Sequence, residues 1–111
     1  MSASVRAAAV VRSGLGLAML TQPREVARLL GAPLSGRHTV LRVLGLRHIA
    51  QAGVLAYRPQ RATATASCFV DGTHVLSCLL LAAAAPPRRT PALRDAAVES
   101  GVLLMTWLGR P

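Results

Sequence analysis

Lysine and asparagine are missing from the 111 residues, and Ile49 is the only isoleucine. All thirteen basic side chains are therefore arginine. With abundant Ala, Gly and Pro, that skew points to a GC-rich genome, so part of the arginine content reflects codon usage. Aromatics are reduced to Tyr57, Phe69 and Trp107. Three rings offer few stacking platforms. The arginines are spread along the chain, several of them inside apolar runs, rather than gathered into a basic stripe. These features argue against nucleic acid as a partner in spite of a net charge of +9. Cys68 and Cys78, the two cysteines, are ten residues apart. On one helix that is about 15 Å of rise, too far for a disulfide. They read as buried free thiols behaving as small apolar groups, and no zinc-type ligand spacing is present.

Charge is scarce too. Charged residues make up 15% and apolar residues 52%, against about 25% charged in an average soluble domain. With a mean hydropathy of +0.44, this favours a membrane protein over the alternative, a small soluble Ala/Leu-rich helical bundle. The length suits a single domain, residues 1–111. No nucleophile–base pair, phosphate loop or metal cluster is legible, so neither an enzyme nor a cofactor is expected.

Four apolar segments carry the pattern, at 3–20, 39–57, 62–85 and 92–108. The clearest is the third. From Ala62 to Pro87 no basic residue occurs and Asp71 is the only charge, while Arg58 and Arg61 precede the run and Arg88 and Arg89 follow it. About 20 apolar residues cross a bilayer core of roughly 30 Å, and prolines at the junctions suit helix starts and stops. Met1 to Leu20 has traits of a signal or transit peptide, but Arg12 interrupts the apolar stretch and no A-x-A site follows, so a retained first helix is the reading. Between the first two segments, residues 23–30 read as a short amphipathic helix in the headgroup region. Pro23 suits its first turn, Glu25 its positive end and Gly31 its stop.

Running the four helices up and down puts the N-terminus, the Arg58–Arg61 turn and the C-terminus on one side, with Tyr57 and Trp107 as an aromatic belt. The other side collects Arg24, Arg28, Arg37, Arg88 and Arg89. By the positive-inside rule that second side leans cytoplasmic, with the N-terminus outside.

Segment three places Ser67, Asp71, His74 and Cys78 at steps of four, three and four, one stripe of a helix. Segment two places Arg47 and Gln51 on one face. Counting from the intervening turn, Arg47 and Asp71 lie ten and nine residues deep, a match within about one 1.5 Å rise. An Arg47–Asp71 pair near mid-membrane is expected, since the arginine fork meets a carboxylate bidentately. Arg12 and Glu99, eight and seven residues from the opposite side, offer a second pair. Gly14, Gly16, Gly45, Gly53 and the Ala97/Gly101 pair could let helices approach closely. Such pairs either fix the bundle register or, through Asp71 and His74, form a proton or ion relay. Paired haem ligation by His48 and His74 is a third option, with a depth mismatch of roughly 4.5 Å.

Leu44-Gly45-Leu46-Arg47-His48-Ile49-Ala50-Gln51-Ala52-Gly53 resembles an L-G-x-R-x-x-x-Q-G-like stretch of small actinobacterial membrane proteins with four helices, and Val70-Asp71-Gly72-Thr73-His74 is similar to their acidic third-helix motif. The resemblance implies a four-helix integral membrane protein and supplies no activity.

The expectation is thus an all-α, four-helix transmembrane bundle with one interfacial helix, multi-pass in a bacterial plasma membrane. Its partners are the lipid bilayer and either further copies of itself or another membrane subunit. Its role is structural or accessory; the alternative is a small proton- or ion-coupled transporter subunit. The buried constellation is Arg47, Gln51, Asp71 and His74, with Arg12 and Glu99 as the second ion pair.

Overall fold

The computed structural model describes residues 2–34 and 36–110, and every regular element in them is helical. They are α1 (Ala3–Thr21), α2 (Pro23–Leu30), α3 (Thr39–Tyr57), α4 (Arg61–Ala84), a 3-10 turn (Pro86–Arg88) and α5 (Arg89–Leu108). Local chemistry explains most boundaries. Ser2 caps α1, its Oγ accepting from the Val5 amide at 3.2 Å. Pro23 begins α2, where its missing N–H costs nothing. Gly31 ends α2 at φ 78°, with the Ala32 amide returning to the Ala27 carbonyl at 2.8 Å. That left-handed cap is the conformation glycine adopts without a steric penalty.

One boundary departs from expectation. The last helix starts at Arg89, not at residue 92. Pro91 lies inside its first turn, where backbone N–H groups have no intrahelical acceptor to lose.

The long helices run antiparallel to their neighbours, but one pair that a short turn predicts, α3 with α4, is barely in contact. α1 packs along α3, α4 along α5, and α1 also touches α5, while α3 and α4 meet only sparsely. Two glycines explain the first pairing. A Cβ on Gly16 would sit 2.7 Å from the Gly45 carbonyl oxygen, and one on Gly45 would sit 2.8 Å from that of Gly16. Backbones this close admit no side chain. Gly14, Gly53 and Gly101, expected to act in the same way, have nothing within 4 Å of such a Cβ. At the far end, the Ser2 and Ser4 hydroxyls donate to the carbonyls of Gly109 and Met105, each at 2.6 Å, pinning α1 to α5. Arg94 ties α2 down by donating to the Leu29 carbonyl at 3.0 Å.

The distribution of polarity is inverted. The largest fully buried side chains include Arg12, His48, Glu99, Thr106 and Asp71. Phe69, Leu46, Leu76, Leu80, Val40 and Val10 are each more than half exposed. By length and composition two helices, α1 and α4, could cross a membrane. Of the other two, expected to be comparable spans, α5 is more charged, with Arg89, Arg94, Asp95 and Glu99, while α3 adds His48 and Gln51 to two arginines, Arg42 and Arg47.

Candidate functional site: a buried charge cluster below a crevice

Each long helix contributes one ionised side chain to the centre. α1 supplies Arg12, α3 Arg47, α4 Asp71 and α5 Glu99. Two arginines and two carboxylates cancel formally, which is what a water-poor interior demands of charges it holds.

Arg12 and Asp71 are both 0% exposed. The guanidinium grips the carboxylate bidentately, Nη1 donating to Oδ1 at 3.0 Å and Nη2 to Oδ2. Nη2 also donates to Thr106 Oγ1 at 3.1 Å, and that hydroxyl donates onward to the Val102 carbonyl. On the other flank of Asp71, Gln51 Nε2 reaches Oδ1 at 3.3 Å and Ser67 Oγ at 2.8 Å. Arg47 lies between the two acids. Its Nη2 donates to Glu99 Oε1 at 3.0 Å, and its Nη1 is 3.6 Å from Asp71 Oδ1. His48 Nε2 stands 2.6 Å from the same Glu99 oxygen.

The pairing therefore differs from the depth-matched expectation. Asp71 takes Arg12 as its main partner and Arg47 as a looser one, while Glu99 takes Arg47 and His48. Arg12 and Glu99 do not form the expected pair. The cause is the packing described above: α1 lies against α3 and α5, from where Arg12 reaches Asp71, and the sparse α3–α4 contact keeps Arg47 from closing on Asp71. The two histidines considered as joint ligands turn to different carboxylates.

The stripe on α4 faces as its spacing predicts. Ser67, Asp71 and Cys78 are buried and His74 is partly buried, while Leu76 and Leu80 are exposed. His74, however, does not join Asp71. Its Nε2 lies 2.7 Å from Asp95 Oδ2 on α5, with Cys78 Sγ 3.5 Å from that nitrogen and 3.7 Å from that oxygen. Asp95 and Thr106 are members not foreseen from the sequence, and His48, weighed there only as a haem ligand, belongs instead to the Glu99 carboxylate.

A crevice opens where α3 and α4 splay. It encloses about 670 Å³ and is walled by Leu41, Leu44, Leu81 and Pro91, with His74, Cys78 and Asp95 at its polar floor. A smaller hollow of about 360 Å³ shares Leu44, His74 and Ser77 with it and extends to Arg47. His38 lines the larger crevice, in the left-handed region at φ 53°. An apolar cleft with a few convergent polar groups has the form of a ligand site. Family models, curated proteins and solved structures show no match to this chain, so geometry alone carries the functional reading.

Proposed function

We propose that the chain is a small multi-pass membrane protein with a structural or accessory role rather than a catalytic one. In this reading all four long helices lie within a bacterial plasma membrane and α2 rests in the headgroup layer. The observation that carries it is the inverted polarity: Arg12, Asp71 and Glu99 are fully buried at the centre while many leucines and valines, with Phe69, are exposed on the outside. In water that arrangement forfeits the hydrophobic driving force for folding. In lipid it is the favourable one, because exposed apolar side chains meet acyl chains and ionised groups face the bundle interior.

The central charges of α3 and α5, Arg47 and Glu99, are compatible with this reading because they pair with each other across the bundle. A lone Arg or Asp at a helix centre costs about 2.5–3.5 kcal/mol on insertion scales; here Arg47 meets Glu99 and Asp71 meets Arg12. The longest dimension of the fold, 40 Å, is close to the roughly 40–45 Å of a bilayer with its headgroups. Tyr57 and Trp107, both exposed, lie at the same end, and Arg110 stacks 3.4 Å over the Trp107 ring, as interfacial anchors do. Partners in this account are lipid together with other copies of the chain or a separate membrane subunit.

The test is extraction. The protein should stay with membranes through alkaline carbonate washing and dissolve only with detergent. Recovery as a monodisperse soluble monomer in plain buffer would overturn the reading. A second reading, a proton- or ion-coupled transporter subunit, draws on the crevice that leads past His74 towards Arg47. It requires a pH- or ion-driven flux in proteoliposomes that Asp71→Asn or His74→Gln abolishes.

A further inference from the structure

We infer that His74, Cys78 and Asp95 form a binding site for a zinc-class divalent transition-metal ion, with its open coordination position turned to the crevice. The three ligand atoms lie within 4.8 Å of one another. They are a thiol sulfur, an imidazole nitrogen and a carboxylate oxygen, the donor types that bind Zn²⁺. Two observations beyond the clustering point to an ion.

The first is metric. Bond lengths of about 2.3 Å to sulfur and 2.0 Å to nitrogen and oxygen, at tetrahedral angles, put sulfur about 3.5 Å from each of the other ligands and nitrogen about 3.3 Å from oxygen. The structure has Cys78 Sγ at 3.5 Å from His74 Nε2 and at 3.7 Å from Asp95 Oδ2. Only the 2.7 Å His74–Asp95 separation is short. That is hydrogen-bond length, and an ion replacing the shared proton opens it by about 0.6 Å.

The second is architectural. His74 and Cys78 are one turn apart on α4, and Asp95 comes from the antiparallel α5, so two helices already packed together hold the donors. Ala82, Ala92 and Ala96 pack around Cys78 and keep the helices close there. All three donors line the crevice of about 670 Å³, which gives an ion an entry path and leaves a fourth ligand position for water or an incoming group. Zn²⁺ with one thiolate, one carboxylate and a neutral imidazole is net neutral; binding releases the thiol proton, and the proton shared by His74 Nε2 and Asp95 passes to Nδ1 or to solvent. A neutral centre is what this partly buried position can hold without a further counter-charge.

The ion and the central charge cluster are separable. Arg12, Arg47, Asp71 and Glu99 are paired among themselves, and none is a ligand here.

Co²⁺ is the probe, titrated into the full chain purified in detergent without a histidine tag. One Co²⁺ per chain should bind, with the intense visible bands of a tetrahedral site and a thiolate-to-metal charge-transfer band, and Zn²⁺ should displace it. Cys78→Ala should abolish the charge-transfer band. His74→Gln should weaken binding at least tenfold, about the least that loss of even an outer-shell partner costs. Cys68→Ala should change neither, because that thiol donates elsewhere, to the Leu103 carbonyl. Asp95→Cys adds a second thiolate and should intensify the charge-transfer band, which guards against variants that merely misfold. A wild-type protein without the charge-transfer band, or a band that survives Cys78→Ala, would overturn the assignment.

Discussion

Replacing Asp71 by asparagine removes the carboxylate on which α1 and α3 converge. Arg12 then keeps its charge with no exposure to solvent, facing a neutral amide oxygen and Thr106 Oγ1 in place of a carboxylate. Leaving a buried charge without its partner costs about 3–5 kcal/mol, and Asp71→Asn should fall in that range. The converse change, Arg12→Gln, should cost less, ~2 kcal/mol, because Asp71 retains Gln51 at 3.3 Å and Arg47 at 3.6 Å. The double variant restores formal neutrality at the cluster and should recover part of the loss. A coupling of about 2–3 kcal/mol is expected, at the upper end for residues in direct contact. Arg47→Gln combined with Asp71→Asn should couple by only about 0.5–1 kcal/mol, since that pair is looser and Arg47 is held chiefly by Glu99. Unfolding of the micellar protein with SDS, followed by helical circular dichroism, measures all five variants on one scale. Additive losses for Arg12 and Asp71, or stronger coupling of Asp71 to Arg47 than to Arg12, would refute the pairing.

Three further outcomes follow from the packing and the crevice. Gly16→Ala should destabilise by about 1–3 kcal/mol, because the new methyl meets the Gly45 carbonyl oxygen at 2.7 Å and backbone cannot yield as a side chain does; Gly14→Ala, with open space around it, should be neutral or slightly stabilising in the same SDS assay. Cys78 should react with small thiol reagents faster than Cys68, since it lines the crevice and Cys68 does not; mass-spectrometric labelling kinetics check this, and equal rates would argue that the crevice is closed. Leu29→Glu should weaken the bilayer contact of α2 without unfolding the bundle, because Leu29 is 73% exposed and its carbonyl, which holds Arg94, is unchanged; an unaltered SDS midpoint together with reduced quenching of a fluorophore on α2 by lipid-borne quenchers is the expected result.

Much of the fold is visible in one dimension. Proline and glycine mark the helix ends because their backbone constraints act locally, and the i, i+4, i+7, i+11 spacing of Ser67, Asp71, His74 and Cys78 reports one face whatever the neighbours are. Neighbour identity is not local. Depth counting puts Arg47, Asp71, Arg12 and Glu99 all near the middle, so four charges at similar depth admit two pairings. The choice between them falls to Gly16 and Gly45, whose close approach brings α1 against α3. Asp95 escaped notice for a different reason. With the helix expected from residue 92, it looks like an exposed first-turn acid; with the start at Arg89 it lies deeper and faces α4. The same displacement hides the metal-ligand set, because its third donor comes from a second helix and leaves no short spacing motif to read.

The central claim is that the inverted fold lies across a lipid bilayer, and sidedness tests it most directly. In a background carrying Cys68→Ala and Cys78→Ala, single cysteines would be introduced by Gln60→Cys, in the turn between α3 and α4, and by Arg88→Cys, in the turn between α4 and α5. Both positions are exposed and lie at opposite ends of α4. A membrane-impermeant maleimide should label position 60 in intact cells and position 88 only after permeabilisation, as expected for an outside N-terminus. Opposite sidedness of the two sites would support the spanning reading whichever faces out. Equal labelling of both from one side, in protein that partitions with the soluble fraction, would contradict it.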